Sequence, residues 1–355
     1  MKSAFSSKSS ATVKGLAVIF LLIHHLLNSK YPFTSLLVGD EYDYLAPLVS
    51  SAKVCVYLFL LISGYGLYLS YSKQEDSFDH TLRFVLRHIV KLYSMYWIIY
   101  IIFVPMGLLF GRSPADIYSS WTDAIWDILG LAYLHGTPSI INTWWYNSMI
   151  ILFYVAFPVA FFILRRLNGY TTLAGLALLS IMACLHYGWK VSLIYCVPFV
   201  IGMVCAKYQL FDRAKAFCSE TRTRRFFKLL VYLSVLAAYE FYRFRVMLQN
   251  QFPYRLDWIQ TLLWICLVYE YLPENGVCAK SLQLIGKHSG NIYLFHSFIY
   301  GLYAKDLLYS LKYPVLIVPT ALISFVFVSI LLEKVKQIIG YQKLFDLTLK
   351  RIGPV

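Results

Sequence analysis

Two histidines lie inside long apolar segments, where an ionisable side chain is costly and by default suggests a function. His25 lies near the end of the first apolar segment, and His296 lies in a segment close to the end of the chain. An imidazole that is removed from water stays neutral at pH 7, and a neutral imidazole can accept a proton as a general base. The alternative for each histidine is a hydrogen bond to a neighbouring helix that only supports the fold.

The position of Lys14 relative to His25 suggests what kind of ligand they would share. Eleven residues separate them, which in a helix is about 16 Å along the axis and about 20° around it. A cation at one end of a helix face and an imidazole deeper on that face fit a long ligand with phosphates at one end and a reactive group at the other. His296 lies ten residues beyond Gly286, or about 15 Å, so the two histidines could meet in one cavity.

A basic stripe opens the third apolar segment. Arg83 and Arg87 are spaced i, i+4, Lys91 continues their row, and His88 lies beside it. Such a stripe can bind phosphates. It can equally set the membrane topology next to anionic lipid headgroups.

Glu240 and Arg243 form another charged pair within an apolar segment. Their i, i+3 spacing places them on one helix face. The pair is either a structural ion pair inside the membrane or a contact to a substrate. The chain also contains 30 Tyr, more than the two membrane interfaces require, which suggests a polar interior cavity.

The composition indicates the elements that must position these side chains. Of 355 residues, 59% are apolar and 14% are charged, and the mean hydropathy is +0.61. Soluble domains carry about a quarter charged residues, so a soluble enzyme, a disordered chain and a nucleic-acid reader all fit poorly. We predict an all-α polytopic membrane protein with about ten transmembrane helices around a central cavity. The seven Cys include no CxxC pair, so we predict neither a disulfide framework nor a metal site.

Ten segments approach the roughly 20 apolar residues that a helix needs to cross a bilayer core about 30 Å thick. They are 12–28, 44–71, 84–110, 144–165, 170–187, 191–207, 226–244, 256–272, 286–304 and 313–335. We expect residues 1–340 to form one transmembrane domain and residues 341–355 to form a short cytoplasmic tail.

The distribution of basic residues predicts the orientation. Ten spans place both termini on one side of the membrane, and if that side is the cytoplasm, 23 of the 32 Lys and Arg residues lie there. This asymmetry follows the positive-inside rule and accounts for most of the net charge of +14. Membrane lipids, and no nucleic acid, are therefore the expected anionic partners.

Four motifs follow one another along the chain. They are KGLAVIFLLIHH at 14–25, an aromatic residue followed by Ser-Gly-Tyr at 59–65, RHIVKLYSMYW at 87–97 and GKHSGNIYLFH at 286–296. Together they resemble the acyltransferase-3 family of bacterial inner-membrane acyltransferases, over nearly the whole chain. The sequence departs from that family at Lys14, where the family has Arg, at His88 and Lys91, where it has an Arg-x-x-Arg pair, and at Ser94, where it has Pro.

The resemblance implies a donor substrate and an acceptor. The donor would be acyl-CoA, usually acetyl-CoA, reached from the cytoplasm, and the acceptor a hydroxyl of a cell-envelope glycan or lipid-linked sugar on the other side of the inner membrane. His25 would act as general base or carry the acyl group covalently, and His296 would orient it or bind the acceptor. We assign Lys14, Arg87, His88, Lys91 and Ser63 to the donor, and Glu240, Arg243, Trp144, Trp145 and Tyr146 to the acceptor.

Two other functions remain open at this point. A transporter or flippase would use the histidines as a proton relay and would move its substrate without consuming acyl-CoA. A non-catalytic membrane partner of a glycan-assembly complex would tolerate the departures at Lys14, His88 and Ser94. The acceptor, the length of the acyl chain and the oligomeric state are left open by the sequence.

Overall fold

The computed structural model describes residues 5–27, 46–73, 77–110, 116–185, 193–248 and 256–353, and helices form most of these ranges. No β-strand occurs within these ranges, which agrees with the predicted all-α class. The α-helices are α1 (Ser7–Leu26), α2 (Ala46–Ser51), α3 (Val54–Tyr71), α4 (Phe78–Leu109), α5 (Trp121–Ile128), α6 (Ala132–His135), α7 (Trp145–Arg166), α8 (Gly169–Leu185), α9 (Cys196–Lys207), α10 (Leu210–Ala216), α11 (Arg222–Leu248), α12 (Asp257–Tyr271), α13 (Val277–Lys287), α14 (Ser289–Phe298), α15 (Lys305–Tyr309), α16 (Pro314–Ile338) and α17 (Tyr341–Ile352).

All ten predicted segments are helical where they are described, but ten membrane spans are not confirmed. Five helical stretches of the described chain are long and apolar enough to cross a membrane: α1, α2 with α3, most of α4, α7 with the turn before it, and α16. A sixth results if Leu193–Lys207 and Leu210–Ala216, which are bent by 65°, count as one span. Of the others, α8, α12 and α14 have 17, 15 and 10 residues, and α11 is rich in charged residues.

The predicted segment 286–304 is not one continuous helix. The backbone of His288, with φ −96° and ψ 1°, ends α13 and begins α14. A π-helical turn over Ile299–Tyr303 then follows α14, and α15 follows that turn. The segment therefore changes direction on both sides of His296, which a single straight span would not do.

Close glycine contacts hold together two helix pairs, α1 with α13 and α3 with α9. Gly15 of α1 packs against α13, and Gly286 of α13 packs against α1; a Cβ atom on either would lie 2.0 or 1.9 Å from a backbone carbonyl oxygen. Gly64 of α3 and Gly202 of α9 form a second contact of the same kind, with distances of 2.1 and 2.0 Å. Small residues allow such backbone approach between membrane helices.

The segment before α7 is organised around the buried carboxylate of Asp127. Its Oδ2 accepts hydrogen bonds from the Tyr118 hydroxyl at 2.6 Å and from the Ile140 N–H at 3.1 Å. Burial raises the pKa of the Asp127 carboxyl, and these donors oppose that shift. The segment is thereby held against the helices. It ends at Thr143 and Trp145, beside His25 and His296.

Candidate active site

His25 and His296 lie side by side. The last turn of α1 carries His25 and the third turn of α14 carries His296; their ring centroids are 5.1 Å apart and the ring planes are inclined by 56°. His296 is fully buried, whereas His25 is partly exposed. Because α1 is continuous from Lys14 to His25, these two residues are separated by about 16 Å of unbroken helix.

The π-helical turn after α14 adds an aromatic wall to this pair. The ring centroid of Tyr300 lies 5.7 Å from that of His296 and 6.3 Å from that of His25, with Tyr300 and His25 stacked at 29°. Single π-turns often occur at functional sites. Here the turn brings Tyr300 against both imidazoles.

Hydrogen bonds define the protonation of His296. Its Nδ1 lies 3.1 Å from the carbonyl oxygen of Ile292 and 2.7 Å from that of Tyr293. A carbonyl oxygen only accepts, so Nδ1 carries the proton and Nε2 offers a lone pair. The hydroxyl of Ser297 lies 3.3 Å from Nε2, and Thr143 lies 3.0 Å from that hydroxyl.

His24 and His25 also differ in the hydrogen bonds of their ring nitrogens. His24 Nδ1 donates to the carbonyl oxygen of Val49 at 2.9 Å, which gives this histidine a structural role. The His25 ring contacts the rings of His24, His296 and Tyr300, but it has no hydrogen-bond partner among the described residues. Both of its ring nitrogens therefore remain available to a substrate.

A cavity of about 60 Å³ opens beside His25. Its described lining includes His24, Lys53, Thr143, Trp145 and Tyr146. This volume accommodates a few water molecules or the reacting end of a substrate, but not a whole cofactor-sized molecule. Aromatic walls with a few polar groups are the usual composition of a ligand site.

The residues assigned to the acceptor from the WWY sequence separate into two groups. Trp145 and Tyr146 line the cavity, and Ser63 of the Ser-Gly motif lies close to the Tyr146 hydroxyl. Trp144 instead is 2% exposed, and its Nε1 donates to the carbonyl oxygen of Leu294 at 2.9 Å. It joins α7 to α14 in the core and does not line the cavity.

Lys14 is open to a ligand but is not joined to the cavity. It is partly exposed and has no hydrogen-bond or ion-pair partner among the described residues. It is not part of the described cavity lining. On the same helix face Val18 is fully buried in the hydrophobic core between Lys14 and His25. A donor that reaches both residues must displace this packing.

The basic stripe of α4 is partly engaged within the protein. Arg87 Nη1 donates to the carbonyl oxygen of Leu349 at 2.8 Å and to that of Gly353 at 2.5 Å, and so caps the end of α17. His88 Nδ1 donates to the Phe84 carbonyl oxygen at 2.8 Å. Lys91 is exposed and has no partner in the described part of the chain. The predicted tail 341–355 is thus largely a helix docked on α4.

Glu240 and Arg243 belong to a larger polar cluster that includes Asp257, a residue missed in the sequence. Arg243 Nε lies 3.0 Å from Asp257 Oδ1 and its Nη1 lies 3.7 Å from Glu240 Oε2. Asp257 is fully buried and Arg243 is 3% exposed. Glu240 also accepts from Ser51 at 2.6 Å and from Gln260. The pair lies beside the cavity without lining it.

Comparison with known proteins identifies the family to which the chain belongs. The profile of the acyltransferase-3 family, described as an acyltransferase domain, matches residues 11–334. The chain belongs to the acyltransferase-3 family. No curated protein and no solved structure matches it at a significant level. Membership confirms the resemblance carried by the four motifs and supports a membrane acyltransferase.

Three residues of this acyltransferase-3 site escaped sequence reasoning: Lys53, Tyr293 and Tyr300. Lys53 is one of the Lys and Arg residues that the positive-inside rule leaves on the side opposite the cytoplasm, and it lines the His25 cavity. Tyr293 lines it as well, and its hydroxyl donates to the carbonyl oxygen of Thr143 at 2.5 Å. Tyr293 lay within a quoted motif, three residues before His296, so its spacing could have identified it.

Proposed function

We propose that this acyltransferase-3 protein is a membrane O-acyltransferase. It would move an acyl group, most simply acetyl, from acyl-CoA to a hydroxyl of a cell-envelope glycan or lipid-linked sugar. Family membership supports the acyl transfer. The observation that carries the proposal is the His25 imidazole, which faces a small cavity and has no hydrogen-bond partner among the described residues.

His25 would act as the general base. One ring nitrogen accepts the proton of the acceptor hydroxyl while its oxygen forms a bond to the thioester carbonyl carbon. When the tetrahedral adduct breaks down, the C–S bond breaks, and the proton held by His25 passes to the departing CoA sulfur. The products are an O-acyl ester and CoA, and the imidazole returns to its starting state.

His296 would orient His25. Its Nδ1 proton is committed to two backbone carbonyls, so its Nε2 can only accept a hydrogen bond. If either ring rotates so that the N–H of His25 replaces the Ser297 hydroxyl at Nε2, His296 would accept a hydrogen bond from His25. That contact fixes the His25 tautomer and directs the other nitrogen, with its lone pair, into the cavity.

The donor would bind along the Lys14 side of α1. Of the predicted donor residues, Lys14 and Lys91 have free ammonium groups within the described chain, and these we propose as the main contacts to the CoA phosphates. Arg87 and His88 would support them only if they leave their present backbone partners. Ser63 lies deeper, against Tyr146, where it would contact the acyl end.

The acceptor would enter from the opposite face. Trp145 and Tyr146 are the predicted acceptor residues that reach the cavity, and an aromatic surface of this kind suits a sugar ring. Glu240, which is partly exposed, would contact a remote part of the acceptor, and the buried Arg243 would act through its ion pair with Glu240. With this orientation, the protein lies in the bacterial inner membrane with both termini in the cytoplasm.

The test is His25→Ala in the full-length protein. Native membranes that contain wild type or variant are incubated with radiolabelled acetyl-CoA, and envelope glycans are analysed by mass spectrometry for added acetyl groups. We expect a loss of transfer of at least about 100-fold, the usual contribution of a general base or more. His135→Ala, which changes an exposed histidine outside the cavity, should keep the wild-type rate.

Three outcomes would contradict the proposed function. Normal acetylation by His25→Ala membranes would remove this histidine from the mechanism. Substrate movement across vesicles without consumption of acetyl-CoA would favour a transporter. A wild-type protein that neither binds nor consumes acetyl-CoA would favour a non-catalytic partner role.

A further inference from the structure

A cation lies in the same small cavity as the unbonded imidazole. Lys53 precedes the first residue of α3 and lines the cavity together with His24 and His25. Its charge acts on both imidazoles.

The charge of this cation is partly balanced by a buried carboxylate. Asp257 is fully buried and attracts Lys53 from across the polar cluster. Asp257 Oδ1 also accepts from the Tyr239 hydroxyl at 2.9 Å and lies 3.0 Å from Arg243 Nε. The carboxylate is therefore fixed by two further partners. Lys53 itself is placed at the cavity by its position directly before α3.

The proposed reaction needs a cation at this place. As the acceptor oxygen adds to the thioester carbon, the carbonyl π electrons move onto the carbonyl oxygen, which becomes an alkoxide. Donors aimed at such an oxygen contribute strongly to catalysis in a site that excludes water. Of the tyrosine hydroxyls of the cavity, that of Tyr293 is already engaged with the carbonyl oxygen of Thr143.

We propose that Lys53 is a further catalytic residue, which stabilises the negative charge on the carbonyl oxygen during acyl transfer. This inference rests on the proposed O-acyltransferase function. The ammonium donates a hydrogen bond to the alkoxide and keeps its proton throughout. When the C–S bond breaks, the carbonyl reforms and the contact weakens, so the cation acts on the transition state more than on the bound thioester.

The experiment compares Lys53→Met and Lys53→Arg in membranes supplied with radiolabelled acetyl-CoA. Lys53→Met should lower kcat by about 100- to 1,000-fold, as loss of an oxyanion donor does, and change the KM for acetyl-CoA less than threefold. Lys53→Arg keeps the charge and should recover at least a tenth of the wild-type kcat. Lys280→Met, at an exposed lysine of α13, is the matched control and should be unchanged.

The outcomes separate this inference from the proposed function. If the wild type transfers no acetyl group, the proposed function fails. If the wild type is active and Lys53→Met keeps more than a third of its kcat, or loses activity only through KM, the role of Lys53 is overturned and the function stands. If Lys53→Met does not insert, Lys53→Arg and Lys53→Gln replace it, and equal kcat values for these two variants overturn the inference.

Discussion

At the scale of single residues, hydrogen-bond partners distinguish a reactive histidine from structural ones. His24 and His296 each commit Nδ1 to backbone carbonyl oxygens, while His25 contacts them only through its ring. A histidine that supports the fold contributes to the stability of the protein through its hydrogen bonds, whereas an imidazole without hydrogen bonds makes no such contribution. The free imidazole at an open cavity is therefore the group best explained by chemistry.

Lys14 allows a prediction at this same scale. Lys14→Met should raise the KM for acetyl-CoA by about 10- to 100-fold, the effect of losing one charged hydrogen bond, and should leave kcat within about threefold, because the contact is made equally in the ground state and the transition state. Steady-state transfer rates across acetyl-CoA concentrations measure both constants.

Lys14→Arg is the matched variant for that measurement. It restores the basic residue that is usual in the family and its two-pronged hydrogen bonding, so its KM should equal or fall below that of the wild type. An unchanged KM in Lys14→Met would show that Lys14 does not bind the donor.

At the scale of helices, the sequence predicted the part of the site on α1, but it did not predict the positions of Tyr300 and Lys53. Hydrophobic runs and the spacing of Lys14 and His25 indicated α1 correctly because an unbroken helix has fixed geometry. Tyr300 could not be placed, since its position depends on the break at His288 and on the π-turn that follows α14. Lys53 was missed because only the packing of α3 on α1 brings it to His25.

The glycine contact between α3 and α9 gives a prediction for the helix that carries Ser63. In Gly64→Ala the new Cβ would lie 2.1 Å from the carbonyl oxygen of Phe199, and the helices must separate. We expect a loss of about 1–3 kcal/mol in stability, measured as a lower midpoint of thermal unfolding in detergent.

The same helix offers the control. A Cβ at Gly66 meets nothing within 4 Å, and Ala is favoured over Gly within a helix by about 1 kcal/mol. Gly66→Ala should therefore leave the midpoint unchanged or raise it. Equal midpoints for the two variants would show that the close contact does not limit the packing of α3 on α9.

At the scale of the whole molecule, contacts suggest that more helices cross the membrane than their apolarity alone indicates. Lys228 of α11 pairs with Glu270 of α12 at 2.5 Å, and at the other ends of these helices Arg243 pairs with Asp257. The ring centroids of Tyr269 and Phe5 lie 5.0 Å apart, which places the Lys228–Glu270 pair near the N-terminal end of α1. These helices thus form a hairpin that runs the length of α1.

This hairpin leads to a prediction about the side on which Cys278 lies. If only the six apolar spans crossed, residues 217–313 would lie opposite the N-terminus, whereas ten spans place Cys278 on the side of the N-terminus, which we propose to be the cytoplasm. The hydrogen bond from Ser6 to Glu274 favours the latter. Cys278 is an exposed free cysteine, so a membrane-impermeant maleimide should label it only after the membrane is permeabilised. Cys278→Ser identifies the labelled peptide by mass spectrometry, and labelling of Cys278 in intact cells would refute the ten-span topology.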